Sequence, residues 1–321
     1  MRKQTFNLLG LVIALLVIFA YFSIRVPGGA FHTKDNLELM LRQCSIIGLA
    51  ALGMTFVIIS AGIDLSIGSI TAFSSVIVAW CLYRNFNGTT ALVVAILGGT
   101  LCGVVNGLLI TRLKVGPFIV TLGTLLVVRA LGKGLAEDKQ IEPPQDSWLG
   151  SLLDPVVGTK GAWHLLPWGV WLTILAAIVM SLVLRYTRFG RHVVAVGSNE
   201  HAARLCGVPI DRIKLLVYGL SGLFGGLAGV LLFSKLTVGD PTAVLGMELD
   251  VIAAVVIGGA SLSGGEGTIA GTILGALIMQ TIKSGGAQMS LEVWKQEVIT
   301  GVIIVLAVGL DRWRVRRAAE K

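Results

Sequence analysis

Asp64 is the residue of this chain with the most chemistry to offer. It sits in Ala61-Gly62-Ile63-Asp64-Leu65-Ser66-Ile67-Gly68-Ser69, a short polar break between two long apolar stretches. A carboxylate at or near membrane depth is costly and marks a functional candidate. Two compatible roles are open to it. Its oxygens can take orphan backbone N–H groups at the start of the following helix, or Asp64 and Ser66 can line a polar passage or its gate. Asn106 lies inside the fourth apolar run, and Thr121 and Thr124 inside the fifth. Each can line a wet cavity or hydrogen-bond between helices. Glu248 and Asp250 stand at the outer mouth of a later run, where a partner-facing rim is expected. Such groups bind and orient a polar solute; they do not make or break bonds.

Enzyme motifs are missing. There is no HExxH, no GxSxG and no GxxxxGK[ST] loop. His32, His164, His192 and His201 are scattered, without a Cys or carboxylate at ligand spacing, and the four cysteines form no CxxC. No catalytic residue, metal site or bound cofactor is expected. Leu262-Ser263-Gly264-Gly265-Glu266 matches the signature pentapeptide of ATP-binding-cassette ATPases. It lies between apolar runs with no phosphate-binding loop, so it reads as a tight glycine turn with free backbone donors.

The elements that position these residues are membrane helices. Of 321 residues, 55% are hydrophobic and 14% charged, with a mean hydropathy of +0.84; an ordinary soluble domain carries about 25% charged residues. The apolar residues fall in runs long enough to cross ~30 Å of hydrocarbon as helices. The fold class is therefore all-α and polytopic. About ten spans are expected, some short or broken: Leu8–Ile24, Cys44–Ser60, Ile67–Tyr83, Thr90–Thr111, Val115–Leu131, Trp168–Tyr186, Leu215–Ser234, Leu249–Leu262, Thr268–Ile282 and Val298–Leu310. The first reads as an uncleaved span, since no A-x-A site follows it.

With both termini inside, cytoplasmic segments hold 15 of the 26 basic residues and 6 of the 18 acidic ones, leaving +9 inside and −1 outside. The net charge of +8 is then a topology signal, and no nucleic-acid partner is expected. Residues 185–214 form the large inner loop, 132–167 the large outer one, and Asp311–Lys321 a solvated basic tail. Trp148, Trp163, Trp168 and Trp171 suit the membrane interface; stacking on a sugar is the other reading. Glycines four apart (Gly99, Gly103, Gly107; Gly222, Gly226; Gly225, Gly229; Gly267, Gly271, Gly275) predict close helix packing.

The inner loop holds a discrete element. Ser198-Asn199-Glu200 is a helix start, Ala202, Ala203, Leu205 and Cys206 supply an apolar face, Arg204 a basic flank, and Gly207 and Pro209 the stop. A two-turn helix with nothing of its own chain to cover Ala203 and Leu205 looks made to dock; lying on lipid headgroups is the alternative.

Several long motifs in order now carry a resemblance over nearly the whole chain. They are Gly53-Met54-Thr55 with Ala61 to Ser69, Thr187-Arg188-Phe189-Gly190, Gly197 to Val208, and Glu248-Leu249-Asp250-Val251-Ile252-Ala253-Ala254-Val255-Val256-Ile257-Gly258-Gly259. The chain resembles the permease subunits of bacterial ATP-binding-cassette sugar importers of the ribose/xylose/galactose branch. The resemblance implies a single permease domain over residues 1–321 in the inner membrane, paired with a second copy or a paralogue. It also implies an ATPase subunit inside, carrying the ATP, and a periplasmic sugar-binding protein outside. Asn199, Glu200, Ala202, Ala203, Arg204, Leu205 and Gly207 fall on the family's coupling helix. An ion-coupled secondary transporter, with a buried ionisable pair or cation site and no docking helix, is the rival reading.

Overall fold

The protein is described by a computed structural model over residues 2–144, 146–157 and 165–319. Among these residues the chain forms twelve α-helices and no sheet: α1 Arg2–Arg25, α2 Lys34–Ile59, α3 Ile67–Tyr83, α4 Gly88–Leu113, α5 Pro117–Leu135, α6 Trp168–Tyr186, α7 Arg188–Ser198, α8 Glu200–Leu205, α9 Ile210–Leu236, α10 Met247–Ile257, α11 Ile269–Gln288 and α12 Val293–Ala319. Their starts are written locally. Asn87 accepts from Thr90 N at 2.7 Å, Thr187 from Gly190 N at 3.1 Å and Thr268 from Gly271 N at 3.1 Å, each side chain satisfying a donor that the helix leaves free. Pro117 opens α5 at a position that has no N–H to lose.

Six helices are long and apolar enough to cross a membrane: α1 from Leu8, α2, α4, α5, α6 and α9. Helix α3 is a shorter apolar helix. Elsewhere the elements differ from the expected spans. Helix α2 begins at Lys34, ten residues before the expected start, because Thr33 caps it with a bond to Asn36 N. The expected span Leu249–Leu262 is an eleven-residue helix that stops at Gly258 and Gly259. The expected tail from Asp311 stays helical to Ala319. Between α5 and α6, Ile141 exchanges two 2.9 Å backbone bonds with Gly239, which follows α9, and Gly150–Leu153 makes a 3-10 turn. Trp163 and His164 lie outside the described residues.

Helices α2 and α9 form the centre. From Cys44 onward helix α2 is apolar nearly all round, as a helix enclosed by others must be, and 89% of its most apolar stretch is buried. Two polar contacts fix its N-terminal end: the carboxylate of Glu38, 4% exposed, accepts from Val156 N at 2.5 Å and Val157 N at 2.7 Å. The expectation that this region was loop had hidden Glu38.

Helix α9 is held by glycines on two faces. A Cβ on Gly99 would lie 2.8 Å from Gly226 Cα, and one on Gly222 would lie 2.8 Å from Gly103 Cα. On its other face, a Cβ on Gly229 would lie 2.6 Å from Ser74 Cβ of α3. Lipid tails are as apolar as leucine, so helices associate here through close contact, and the expected glycine seams are those contacts. A parallel seam joins α10 and α11, where a Cβ on Gly275 would sit 2.9 Å from Gly258 N.

Gly222→Ala places a methyl against backbone that has no rotamer to yield. It is expected to destabilise the bundle by about 1–3 kcal/mol, read as a lower melting temperature in detergent. Gly123→Ala, where the added carbon meets nothing within 4 Å, is expected to melt as the native protein does. Equal melting of the two variants would sink the seam.

Candidate functional site

The connector between α2 and α3 runs from an exposed turn at Ala61 into the core. Gly53 of α2 packs on Ser221 of α9, where a Cβ would come within 2.8 Å of Ser221 Cα. Ser221 is about 16 Å along α9 from Ile210, at 1.5 Å per residue. Helix α2 continues six residues past Gly53 to Ile59. Helix α3 starts beside Gly225, whose added carbon would meet Ile67 at 3.0 Å and Ile70 at 2.9 Å. The connector Ser60–Ser66 therefore turns back and climbs inside the protein, with Ala61 in the left-handed region at φ 61°.

Irregular backbone is tolerated at depth only where its polar groups find partners. Here they do. Ala61 N donates to Ile58 O and Gly62 N to Val57 O, both at 2.9 Å. The Ile63 carbonyl accepts from Thr121 Oγ1 of α5 and Tyr218 OH of α9, both at 3.3 Å. Gly62 leaves room for this arrangement, since a Cβ there would lie 2.5 Å from Tyr218 OH.

Asp64 is the knot. It is fully buried. Its Oδ1 accepts from Ser66 N at 3.0 Å and Ser66 Oγ at 2.6 Å, and its Oδ2 accepts from Ser221 Oγ at 2.8 Å. Asn106 Nδ2 of α4 donates to Ser66 Oγ at 2.7 Å. The four expected pathway residues Asp64, Ser66, Asn106 and Thr121 are thus brought together around one connector. Asp64 captures the N–H two residues on, as aspartate does in a turn, so it fixes the approach to α3 without reaching the helix's own first donors. Ser221 and Tyr218 were missed; the available signal was a hydroxyl beside glycines in a span built for close packing. Thr124 bonds only within α5, to Thr121 O.

Glu248 and Asp250, expected at an outward rim, are both partly buried and each engages a neighbouring helix. Asp250 pairs with Lys283 of α11. Glu248 packs against the first turn of α3, where a side chain on Gly68 would collide with its carboxylate. The cause is the shortness of α10: with eleven residues, about 16 Å, it begins beside the start of α3. Arg129 of α5 holds the preceding segment, Nη1 donating to Pro241 O at 3.1 Å and Ala243 O at 2.8 Å. Sequence reasoning passed over Arg129, although a cation in the middle of an apolar run was its signal. At the exposed end of this segment burial pushes the Asp240 carboxyl up. The Thr242 hydroxyl and N–H and the Gln140 amide outweigh that and hold it below the usual carboxylate range.

The basic-flanked loop carries α7 and α8. Phe189 of α7 stacks on Phe56 of α2 at 5.8 Å. The end of α7 meets the glycine turn: Gly265 N donates to Ile59 O at 2.8 Å, and a Cβ on Gly197 would lie 2.7 Å from Gly265 N. The Gly265 donor is therefore used within the fold, contrary to the expectation of free donors, because α2 ends at that point with a carbonyl to satisfy. Helix α8 has both signals expected of it. Asn199 Oδ1 accepts from Ala202 N at 2.9 Å, and Gly207 at φ +79° lets Val208 N reach back to Ala203 O at 3.0 Å. Glu200 pairs with Lys214 at 2.8 Å and Arg204 at 3.5 Å. One expectation is corrected: Ala203, 5% exposed, faces the chain's own core. The covering surface comes from α7 and α9, which α8 contacts. Leu205 is 78% exposed, with Ala202 and Arg204 also open.

The chain matches a family of permease components, described as "Branched-chain amino acid transport system / permease component", over residues 36–308. It is 39% identical over 304 residues to a ribose import permease protein of Bacillus subtilis, covering 95% of this chain and 92% of that one. It is 36% identical over 319 residues to an L-arabinose ABC transporter permease protein of Azospirillum brasilense, covering 97% and 89%. The ribose import permease protein of Escherichia coli K12 is 36% identical over 310 residues, covering 94% and 92%. No solved structure matches. By a match that runs through the connector, α8 and α10 alike, the chain belongs to this family of transport-system permease components.

Proposed function

We propose that this chain is the pore subunit of an ATP-binding-cassette importer that carries a monosaccharide across the bacterial inner membrane. The relatives named for ribose and arabinose import support the substrate class. In this reading residues 1–321 form one permease domain with both termini in the cytoplasm. A second copy or a paralogue completes the pore, an ATPase subunit carrying the ATP docks on α8, and a periplasmic binding protein delivers the sugar outside. The chain itself binds no cofactor.

The observation that carries the reading is the mechanical continuity from Leu205 to Asp64. Leu205 projects from a short helix capped at both ends. Helix α8 abuts α7, α7 is stacked on Phe56, and the turn at Gly265 is bonded to Ile59, where the Asp64 connector begins. Closure of two ATPases on ATP would push the paired α8 helices together, and α7 and the lower end of α2 would follow. The connector, held by α4, α5 and α9, would pass the displacement to α3 and α9. This is a rigid-body switch of packed halves, with no chemical step in the pore. Asp64, saturated by hydroxyls, serves this motion by keeping the connector in one shape.

Three outcomes test the reading. Leu205→Asp removes an apolar contact worth roughly 1.5–3 kcal/mol when buried. It is expected to weaken ATPase co-purification at least tenfold at normal membrane abundance, whereas Ala203→Glu lowers abundance itself by placing a charge in the core. Undiminished ATPase recovery with Leu205→Asp would remove α8 from the coupling role.

Asp64→Ala leaves three donors without an acceptor, at about 1–3 kcal/mol for each donor left unsatisfied, and is expected to lose folded protein. Asp64→Asn keeps part of the bonding and is expected to express yet import poorly. Normal uptake by Asp64→Asn would show that the charge is dispensable.

For the orientation, a single cysteine replacing Ser151 in a cysteine-free background is expected to react with an impermeant maleimide in intact spheroplasts. Reaction only after membrane rupture would reverse the topology.

A further inference from the structure

Two charged side chains near the start of α10 each keep one buried polar atom without a partner: Arg129 Nε on α5 and Glu248 Oε2 on α10. Orphaned buried charges are rare and costly, and each demands an explanation. Part of each group is occupied. Arg129 spends Nη1 on Pro241 O and Ala243 O. The Glu248 carboxylate interacts with the backbone N–H groups of Gly246 and Glu248 at the start of its own helix. Both meet the same stretch of chain: Arg129 grips it at Pro241 and Ala243, and Glu248 stands in the first turn of the helix that this stretch leads into. Arg129 is 8% exposed. Gly68 lacks a side chain where one would strike Glu248 Oε2, so the start of α3 is shaped around that oxygen. Glu248 is only partly buried, and its neighbours Leu245 and Leu249 are 72% and 52% exposed. The pair therefore lies one step from the open face of the bundle.

We infer that Arg129 and Glu248 form a hydroxyl-binding pair for a polyhydroxylated solute, presented when the α10 start parts from α3. A carboxylate oxygen accepts from one hydroxyl while a guanidinium N–H donates to a neighbouring one, so a vicinal diol satisfies both orphans at once. A carboxyl and a guanidinium side by side suit a neutral solute; a charged one would be repelled by one of the two. The inference rests on the importer reading and assigns to that pore a contact with its cargo.

The test uses proteoliposomes holding the permease with its ATPase, supplied with the binding protein loaded with radiolabelled ribose or arabinose. Uptake and ATP hydrolysis are measured together for the native protein, Glu248→Gln, Arg129→Lys and Gly68→Ala. The expected result is a loss of about tenfold or more in sugar moved per ATP with Glu248→Gln and Arg129→Lys, as for loss of a hydrogen bond to a charged group. Stimulation of ATP hydrolysis by the loaded binding protein stays within twofold of native. Gly68→Ala, which crowds the oxygen, is expected to show the same split. A purely structural role would instead lower uptake and stimulated hydrolysis together, and that outcome, or unchanged uptake, overturns the inference. Silence of the native complex toward both pentoses overturns the importer reading for these sugars, and is told apart by appearing before any variant is made.

Discussion

Everything in this fold answers to one constraint: a non-helical connector inside a membrane bundle must have each of its polar groups paired by the protein. Ser60–Ser66 answers it at Ile63, Asp64 and Ser66 with one carboxylate, a set of hydroxyls and one amide. Asp64 takes three donors, and the Ile63 carbonyl takes two. In a medium with no water to substitute, each missing bond is paid in full. The partners come from α4, α5 and α9, so the connector can hold its shape only while those helices keep their relative places. The polar knot and the bundle thus stabilise each other.

The glycine seams make that possible. Tyr218, Ser221 and Gly222 sit within two turns of α9, and the same stretch that lets α4 approach through Gly103 also presents Ser221 to Asp64. Close packing is usually described as a source of affinity between helices. Here it also sets register: a shift of α9 by one residue would carry Ser221 away from the carboxylate and place a side chain in the α4 seam.

What could be read from the chain divides along physical lines. Composition and run length gave the helical membrane class, and the four-residue glycine spacing gave the faces that meet. Asp64, Ser66, Asn106 and Thr121 were legible because polar groups in apolar runs are conspicuous, and α8 because caps are local. One difference concerns vertical position. Hydropathy cannot distinguish a helix that starts at a membrane face from one that starts halfway, so the run at Leu249–Leu262 did not reveal that α10 begins beside α3 and ends at Ile257. Ala203 and Leu205 looked alike because a two-turn helix offers too few residues for periodicity to say which face is covered. Arg129 and Glu38 were overlooked because their partners are backbone groups distant in sequence.

Helix α2 joins the two sides of the molecule. Its N-terminal end is gripped through Glu38 by the chain at Val156 and Val157, and its C-terminal end through Ile59 by the glycine turn. A rod packed along most of its length and held at both ends moves as one piece, since a helix keeps its length. A displacement at one end would then arrive at the other with the same amplitude, and the reverse stroke would return it undiminished. The two ends of the bundle would keep time with each other through a single push-rod.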